Sequence, residues 1–377
     1  MRRWLLAVIA FWWLVLVELP LFFQRFPQPV RPLDFAYYYV GAQVGLQFGW
    51  QHIYNVGLQH DVFYQSHGSI DFFSWQTFFV SPPYDAWLVV PLAWLPLAGA
   101  YWVFTIVSVA ALLVTWVLAA PARGVGKLAH LLVGGGLYPV LSAIQAGQVT
   151  TLLASSVGAA WWLVKRDRQA LAGLVLVLTL LKPQVGAAVP LALLLTGRWR
   201  VFATFLIGAE LLFAVSVLSL GRAGLGDFRV DLAIENAHLG NQTWTLAAIV
   251  GPGVQATAVE WVAGALCLLS AWLNRGAAPS RAIVAGVLAS ILGTGYHHAS
   301  DYIPLLPAAW IYLSDGAPRW TWWLFGFGVL ACYLASHFGA VPLLAFMLAW
   351  LGVLMWEALR PASIPALAPG RVAAAAR

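Results

Sequence analysis

The stretch ALAGLVLVLTLLKPQVGAAVPLALLL, residues 170–195, decides the fold. Two uncharged apolar runs, 170–181 and 185–195, are divided by Lys182-Pro183-Gln184. Basic clusters bracket them, Lys165-Arg166-Asp167-Arg168 before and Arg198-Trp199-Arg200 after. Proline lacks the N–H that a helix interior needs, so the chain breaks beside Lys182. Runs this short fall below the roughly 20 residues of one bilayer crossing. Short and broken helices are tolerated at membrane depth where they line a cavity rather than lipid. The pattern is of helices that leave a basic face, break around an ammonium at the far face, and return.

Composition gives the same class. Of 377 residues, 62% are hydrophobic and 9% charged, against roughly 45–50% and about 25% in soluble domains. Twenty basic and 14 acidic side chains cannot cover a soluble fold of this length, so the outer surface faces lipid. The 21 Trp, 20 Phe and 12 Tyr suit the headgroup region. The net charge of +6 does not indicate a nucleic-acid partner, because the basic residues fall in short clusters between apolar runs, the pattern that orients spans in a lipid bilayer. Cys267 and Cys332 both lie inside apolar runs and suggest neither a disulfide framework nor a metal site.

Outward from the opening stretch, the sequence predicts an all-α, polytopic transmembrane helix bundle of about 12 spans over residues 1–360. Arg2 and Arg3 precede an apolar run at 4–23, too long for a signal-peptide core of about 7–15 residues. It reads as a retained first helix with a cytoplasmic N-terminus. Residues 24–83 form a large first extracytoplasmic loop carrying juxtamembrane helices. Apolar segments follow at 84–119 (one long span, or a short re-entrant piece and a full one), 128–143, 149–164, 170–181, 185–195, 201–220, 256–273, 282–296, 302–314, 321–335 and 339–356. The Ala- and Pro-rich residues 361–377 read as a disordered cytoplasmic tail. With 84–119 counted as one crossing, every basic cluster falls on the cytoplasmic side of a cell membrane. Asp34, Gln145, Gln148, Lys182, Gln184, His297, His298 and Asp301 then converge at extracytoplasmic helix ends. Ionisable groups at membrane depth are costly and mark functional cavities, so one outward-facing site is expected.

Five motifs could carry its chemistry. In Asp34-Phe35-Ala36-Tyr37-Tyr38-Tyr39-Val40-Gly41, helical spacing puts Asp34, Tyr37, Tyr38 and Gly41 on one face; Asp34 would serve equally as a helix cap. Val80-Ser81-Pro82-Pro83-Tyr84 fixes where the loop re-enters the membrane. Gln145-Ala146-Gly147-Gln148 opens a span. Lys182 could snorkel to an interface, but beside a helix break its ammonium suits a phosphate. In Gly295-Tyr296-His297-His298-Ala299-Ser300-Asp301-Tyr302, adjacent histidines on a helix face different ways, so they would not share one metal. Either imidazole could act as a general base, or the pair could simply bond backbone carbonyls. Asn241-Gln242-Thr243 matches a glycosylation acceptor and agrees weakly with an extracytoplasmic loop.

In this order and spacing the motifs resemble glycosyltransferase family 87, within the GT-C superfamily. The resemblance runs through Asp34 and its paired aromatics, Ile53-Tyr54-Asn55 (with Asn where an acidic residue is usual), and Pro91-Leu92-Ala93-Trp94-Leu95-Pro96. It continues through Ala146-Gly147-Gln148 and 171–183, weakening after about residue 229. It implies a GT-C bundle similar to polyprenyl-phosphate-mannose-dependent mannosyltransferases, which transfer a hexose with inversion. The donor would be a polyprenyl-phosphate sugar and the acceptor a glycolipid, polysaccharide precursor or protein. The resemblance puts Asp34 on the characteristic loop aspartate, His297 and His298 in a region where members carry His, and Lys182 and Gln148 in the donor cavity, with Tyr37 and Tyr38 beside them. Asp301, Gln184 and Tyr84 would line the cavity or the acceptor path.

Inverting transfer needs one base for the acceptor hydroxyl and a cation for the developing phosphate charge. Asp34 serves as base or acceptor-orienting group, His297 or His298 as base or its partner, and Lys182 as phosphate ligand. A divalent cation could assist, although no clustered carboxylates call for a metal. A transporter or flippase would also explain intramembrane polar residues, but no internal repeat is visible and that class does not need a long aromatic outer loop. A non-catalytic membrane scaffold is the third reading.

Overall fold

The computed structural model describes residues 34–67 and 78–359 apart from residue 238, with isolated positions 12, 16 and 20 before them. The expected first helix at 4–23, the loop stretches 24–33 and 68–77, and the tail 361–377 lie outside the described residues. Among the described residues the chain is all helical.

Two helices form the early part, α1 (Asp34–Phe48) and α2 (Val56–His67). The Asn55 side chain caps α2 by accepting from the Leu58 N–H at 3.0 Å, which is the job an acidic residue would also do there. Buried Gln59 stitches α2 to the returning chain: its Oε1 accepts from Phe79 N–H at 2.7 Å and its Nε2 donates to Ile53 O at 2.7 Å.

The stretch 84–119 takes the second of its two expected forms, a short piece followed by a full-length helix. α3 (Pro83–Val89) runs into a 3-10 turn (Val90–Leu92) before α4 (Leu97–Ala119) begins. Pro91 and Pro96 cause the break, since neither can donate into a continuing helix. The expected run 128–143 is likewise two helices, α5 (Val125–Gly135) and α6 (Tyr138–Ala146), bent by 63° at Gly136 and Leu137.

The remaining segments follow the apolar pattern. They are α7 (Thr150–Val164), α8 (Gln169–Leu176) with its 3-10 extension (Val177–Leu181), α9 (Pro183–Gly186), α10 (Ala188–Leu195), α11 (Trp199–Asn236), α12 (Ala247–Val250), α13 (Val254–Leu273), α14 (Pro279–Leu292), α15 (Leu305–Ser314), α16 (Thr321–Phe338) and α17 (Val341–Leu359). Lys182 is extended between two half-helices, because a residue before proline is pushed out of the helical region. α11 runs 16 residues past the expected end at 220, turning at Gly221, whose φ of 58° makes it a kink rather than a terminus.

Among the described residues, α4, α11, α13 and α17 are long and apolar enough to cross a bilayer, and the bent α5–α6 pair would make five. That is fewer than the twelve expected, because breaks such as Lys182-Pro183 leave several apolar helices only 10–17 residues long. Their lipid-type surface is plain on α11, where Ile207, Leu211, Phe213 and Leu218 are all exposed. Inside, helices approach closely: a Cβ on Gly286 of α14 would lie 2.6 Å from the Val189 Cα of α10, the small-residue packing that membrane interfaces favour.

Polar side chains gather at two opposite ends of the bundle. At one, Lys165 pairs with Asp315 at 2.7 Å and Arg281 with Glu357 at 3.4 Å, joining the ends of α7, α15 and α17 to the start of α14. At the other, Lys182 pairs with Asp301 at 2.6 Å, joining the α8–α9 break to the turn between α14 and α15. α7, α14 and α15 each run between the two clusters. Two open cavities of about 620 and 380 Å³ lie at the Lys165–Arg281 end, the first lined by Trp161, Trp162, Lys165 and Arg166 and the second by Arg281, Asp315 and Glu357.

Candidate active site

The end that holds Lys182 brings together the residues the sequence singles out. Asp34 stands in the first turn of α1, and its Oδ2 accepts from Gln148 Nε2. Tyr38, one turn on, donates to Gln148 Oε1 at 3.1 Å. The two bonds fix which way the amide faces: its oxygen meets the phenol and its nitrogen the carboxylate.

Gln148 is aimed by the residue before it. Gly147 closes α6 with φ 64°, and the Gln148 N–H returns to Ala143 O at 2.9 Å, a glycine-dependent helix stop. A Cβ on Gly147 would also lie 2.6 Å from the Phe35 Cβ. The Ala-Gly-Gln motif thus lets α1 press against the end of α6 and puts the amide against Asp34.

A second network centres on Asp301. This fully buried carboxylate takes Lys182 Nζ on Oδ1 and the His298 backbone N–H on Oδ2, at 2.6 and 2.9 Å. Burial alone would push its pKa up; Lys182 and then His297 overcome this and hold it well below the usual carboxylate range. The Lys182 ammonium is therefore engaged by Asp301, with its side chain 12% exposed.

The histidines do not lie on a helix as expected. Residues 295–298 are an irregular link after α14, and His298 caps the 3-10 turn Ala299–Tyr302; Gly293 and Gly295, poor helix formers, flank the exit. His297 is fully buried, its Nε2 2.8 Å from Thr294 Oγ1 and its Nδ1 3.7 Å from Asp301, beyond a hydrogen bond. His298 turns to a different partner, Tyr296, whose hydroxyl lies 3.1 Å from its Nε2 and donates to Glu235 Oε1 at 3.1 Å. A phenol has one proton, and Tyr296 gives it to Glu235. His298 therefore donates from Nε2, while its side chain also accepts from the Asp301 N–H. Burial, and then Lys182, push the His298 imidazole below its ordinary pKa against the pull of Asp301, Asp34 and Glu235, so it is held neutral.

The other expected residues frame these networks. Tyr37 is half-buried on α1 and packs on the same core as Tyr38. Tyr84 donates to Leu180 O at 2.8 Å, tying α3 to the turn before Lys182. Gln184 is half-buried, and its carbonyl accepts from Thr294 at 3.2 Å. Asp34, Asp85 and Asp301 all act on Tyr38: burial first and then these charges push its phenol above its ordinary pKa. Among the described residues no three His, Cys, Asp or Glu side chains are placed to hold a metal ion.

Three participants were missed in the sequence. Glu235 rides on the arm of α11 beyond Gly221, a polar stretch that reads as a loop. Tyr296 was quoted in the histidine motif without a role. Asp85 follows the quoted Tyr84 and is 1% exposed; a single charge at the head of an apolar run was its only signal.

Comparison with known proteins gives one match. The model of glycosyltransferase family 87 matches residues 79–295, more than half of the chain. The matched stretch holds Asp85, Gln148, Lys182, Gln184 and Glu235, with Asp34 before it and residues 297–301 after it. No curated protein and no solved structure matches the chain.

Proposed function

The chain belongs to glycosyltransferase family 87 and is a membrane glycosyltransferase, and from that premise we propose that it transfers a hexose, mannose by preference, from a polyprenyl-phosphate carrier to an extracytoplasmic acceptor with inversion. The acceptor is a glycolipid or a polysaccharide precursor. The observation that carries this reading is the meeting of Asp34 with Gln148, and of Lys182 with Asp301, at one end of an apolar bundle. A lipid carrier presents its phosphate at headgroup level, where such an end would stand. The basic clusters at the other end fit the cytoplasmic side, which supports an extracytoplasmic site.

In this mechanism Asp34 is the base. Oδ2 is held by Gln148, and Oδ1 takes the proton of the acceptor hydroxyl as that oxygen attacks the anomeric carbon. The bond from that carbon to the phosphate oxygen breaks, and its electron pair leaves with the polyprenyl phosphate. Lys182, fixed by Asp301, faces the developing charge. His298 donates from Nε2 to Tyr296 and its other ring nitrogen accepts from the Asp301 N–H, so with no lone pair free it orients rather than abstracts, and buried His297 braces the turn. Tyr37 and Tyr38 flank the donor, and Tyr84 and Gln184 border its path.

The test is a panel of labelled polyprenyl-phosphate sugars given to membranes that express the protein, with and without Asp34→Ala. Mannose transfer that Asp34→Ala abolishes at unchanged expression supports the reading. Transfer of another sugar would replace mannose. No transfer from any carrier would rule out a polyprenyl-phosphate donor for this glycosyltransferase.

A further inference from the structure

Asp85 is fully buried in the first turn of α3, and among the described residues neither of its carboxylate oxygens has a hydrogen-bond partner. Such a group in a native fold calls for an explanation, because burial without hydrogen bonds costs far more than burial with them. The neighbours that could satisfy it are spent elsewhere. Tyr54 donates to Ser81 O at 2.7 Å, Tyr84 to Leu180 O at 2.8 Å, and Tyr38 to Gln148. Lys182 attracts Asp85 but is bonded to Asp301. The Ser81 hydroxyl is near enough to favour the ionised form without reaching either oxygen in hydrogen-bond geometry.

Two buried acceptor oxygens thus act on phenols whose protons are committed elsewhere, and they feel the charge of Lys182. The missing partners are O–H donors. We propose that Asp85 is a sugar-recognition residue, whose carboxyl group accepts hydrogen bonds from hydroxyls of the hexose carried by the donor. This rests on the carrier-dependent transferase reading and adds to it the residue that reads the sugar. The group takes no part in bond making. Burial pushes its pKa up, with Lys182 opposing, and in either protonation state the carboxyl retains an acceptor oxygen for a hydroxyl.

The experiment is a thermal-shift titration of the full-length, detergent-solubilised protein with polyprenyl-phosphate mannose and with polyprenyl phosphate lacking the sugar. Wild type should bind the sugar-bearing carrier roughly 10- to 100-fold more tightly, the range of hydrogen bonds to a charged group. Asp85→Asn, which keeps one acceptor oxygen, should lose part of that difference and keep its response to the bare carrier. Asp85→Leu, which removes an unsatisfied buried group, should melt no lower than wild type without ligand and lose the difference entirely. If both variants discriminate as wild type does, the proposal is wrong and the transferase reading stands. If they lose both responses while melting normally, Asp85 serves the phosphate and the sugar assignment fails. If wild type responds to neither carrier, the carrier-dependent reading falls and takes the proposal with it.

Discussion

At the scale of single residues, the account turns on where protons sit. Tyr296 commits its proton to Glu235, so His298 must donate from Nε2. Tyr296→Phe removes the acceptor and leaves a buried N–H unpaired; we expect kcat to fall about 10- to 100-fold, as misplacement of a positioning group does, with little change in donor KM. Glu235→Gln should fall less, since an amide oxygen still accepts the phenol. Equal losses in kcat and KM would point to a collapsed site instead. The pH dependence has a definite sign. His298 has a lowered pKa in the fold, so the unfolded chain binds its proton first as pH drops through the ordinary histidine value near 6.5. Stability from this group is full above that range and is lost below it. Melting temperature should fall on acidification from about pH 7 to pH 5.5, and His298→Gln should flatten that slope. Asp301 has the same sign but a lower range: its pKa is held below the usual carboxylate value, so its stabilisation by Lys182 is lost only on acidification below that value and contributes nothing to the slope in this window.

At the scale of elements, helix breaks position the site. Gly147→Ala forces a side chain into a left-handed conformation, which costs about 1–2 kcal/mol, and drives its Cβ toward Phe35. Lower thermal stability and a loss of transfer larger than that stability change are expected, because Gln148 moves off Asp34; activity like wild type would show that the Gln148 contact is dispensable. Much of this level is legible in the chain. Apart from α11 and α12, the helices from α7 to α17 follow their apolar runs within a few residues, and Pro183 announces the break that presents Lys182. Other features depend on tertiary contact. Pro91 and Pro96 reveal a break but not that α3 tucks Asp85 inside. The arm of α11 carries Arg222, Asp227, Arg229, Asp231 and Glu235, and so reads as a loop; it is helical because Gly224 packs on the Gln51 backbone and Phe228 on Tyr54. The convergence of Asp34 with Gln148 and of Lys182 with Asp301 spans 114 and 119 residues; charge cost at membrane depth predicts that such groups meet, whereas only packing decides which pairs form.

At the scale of the whole molecule, the two polar ends should be separable in function. Arg281 and Glu357 are nearly buried, and Arg281 lies 4.5 Å over the Tyr312 ring. Arg281→Ala leaves Glu357 uncompensated and should cost about 3 kcal/mol of stability, while turnover per folded molecule at the distant site stays unchanged. Loss of turnover in molecules that remain folded would mean that the two ends communicate. The orientation is checked by single cysteines at exposed Gln51 and Arg166, which lie at opposite ends. An impermeant thiol reagent applied to intact cells should label the first and spare the second.

The most direct test uses purified protein in proteoliposomes with labelled polyprenyl-phosphate mannose and a lipid-extract acceptor pool, comparing Asp34→Asn with Asp315→Asn. Both remove one acidic charge, but Asp34 stands beside Gln148 and Asp315 at the far end beside Lys165. The account predicts that Asp34→Asn loses transfer by at least about 10²-fold, as removal of a general base does, while folded Asp315→Asn transfers at the wild-type rate. Transfer that survives Asp34→Asn, or that is lost only with Asp315→Asn, would contradict it and move the chemistry to the other end of the bundle.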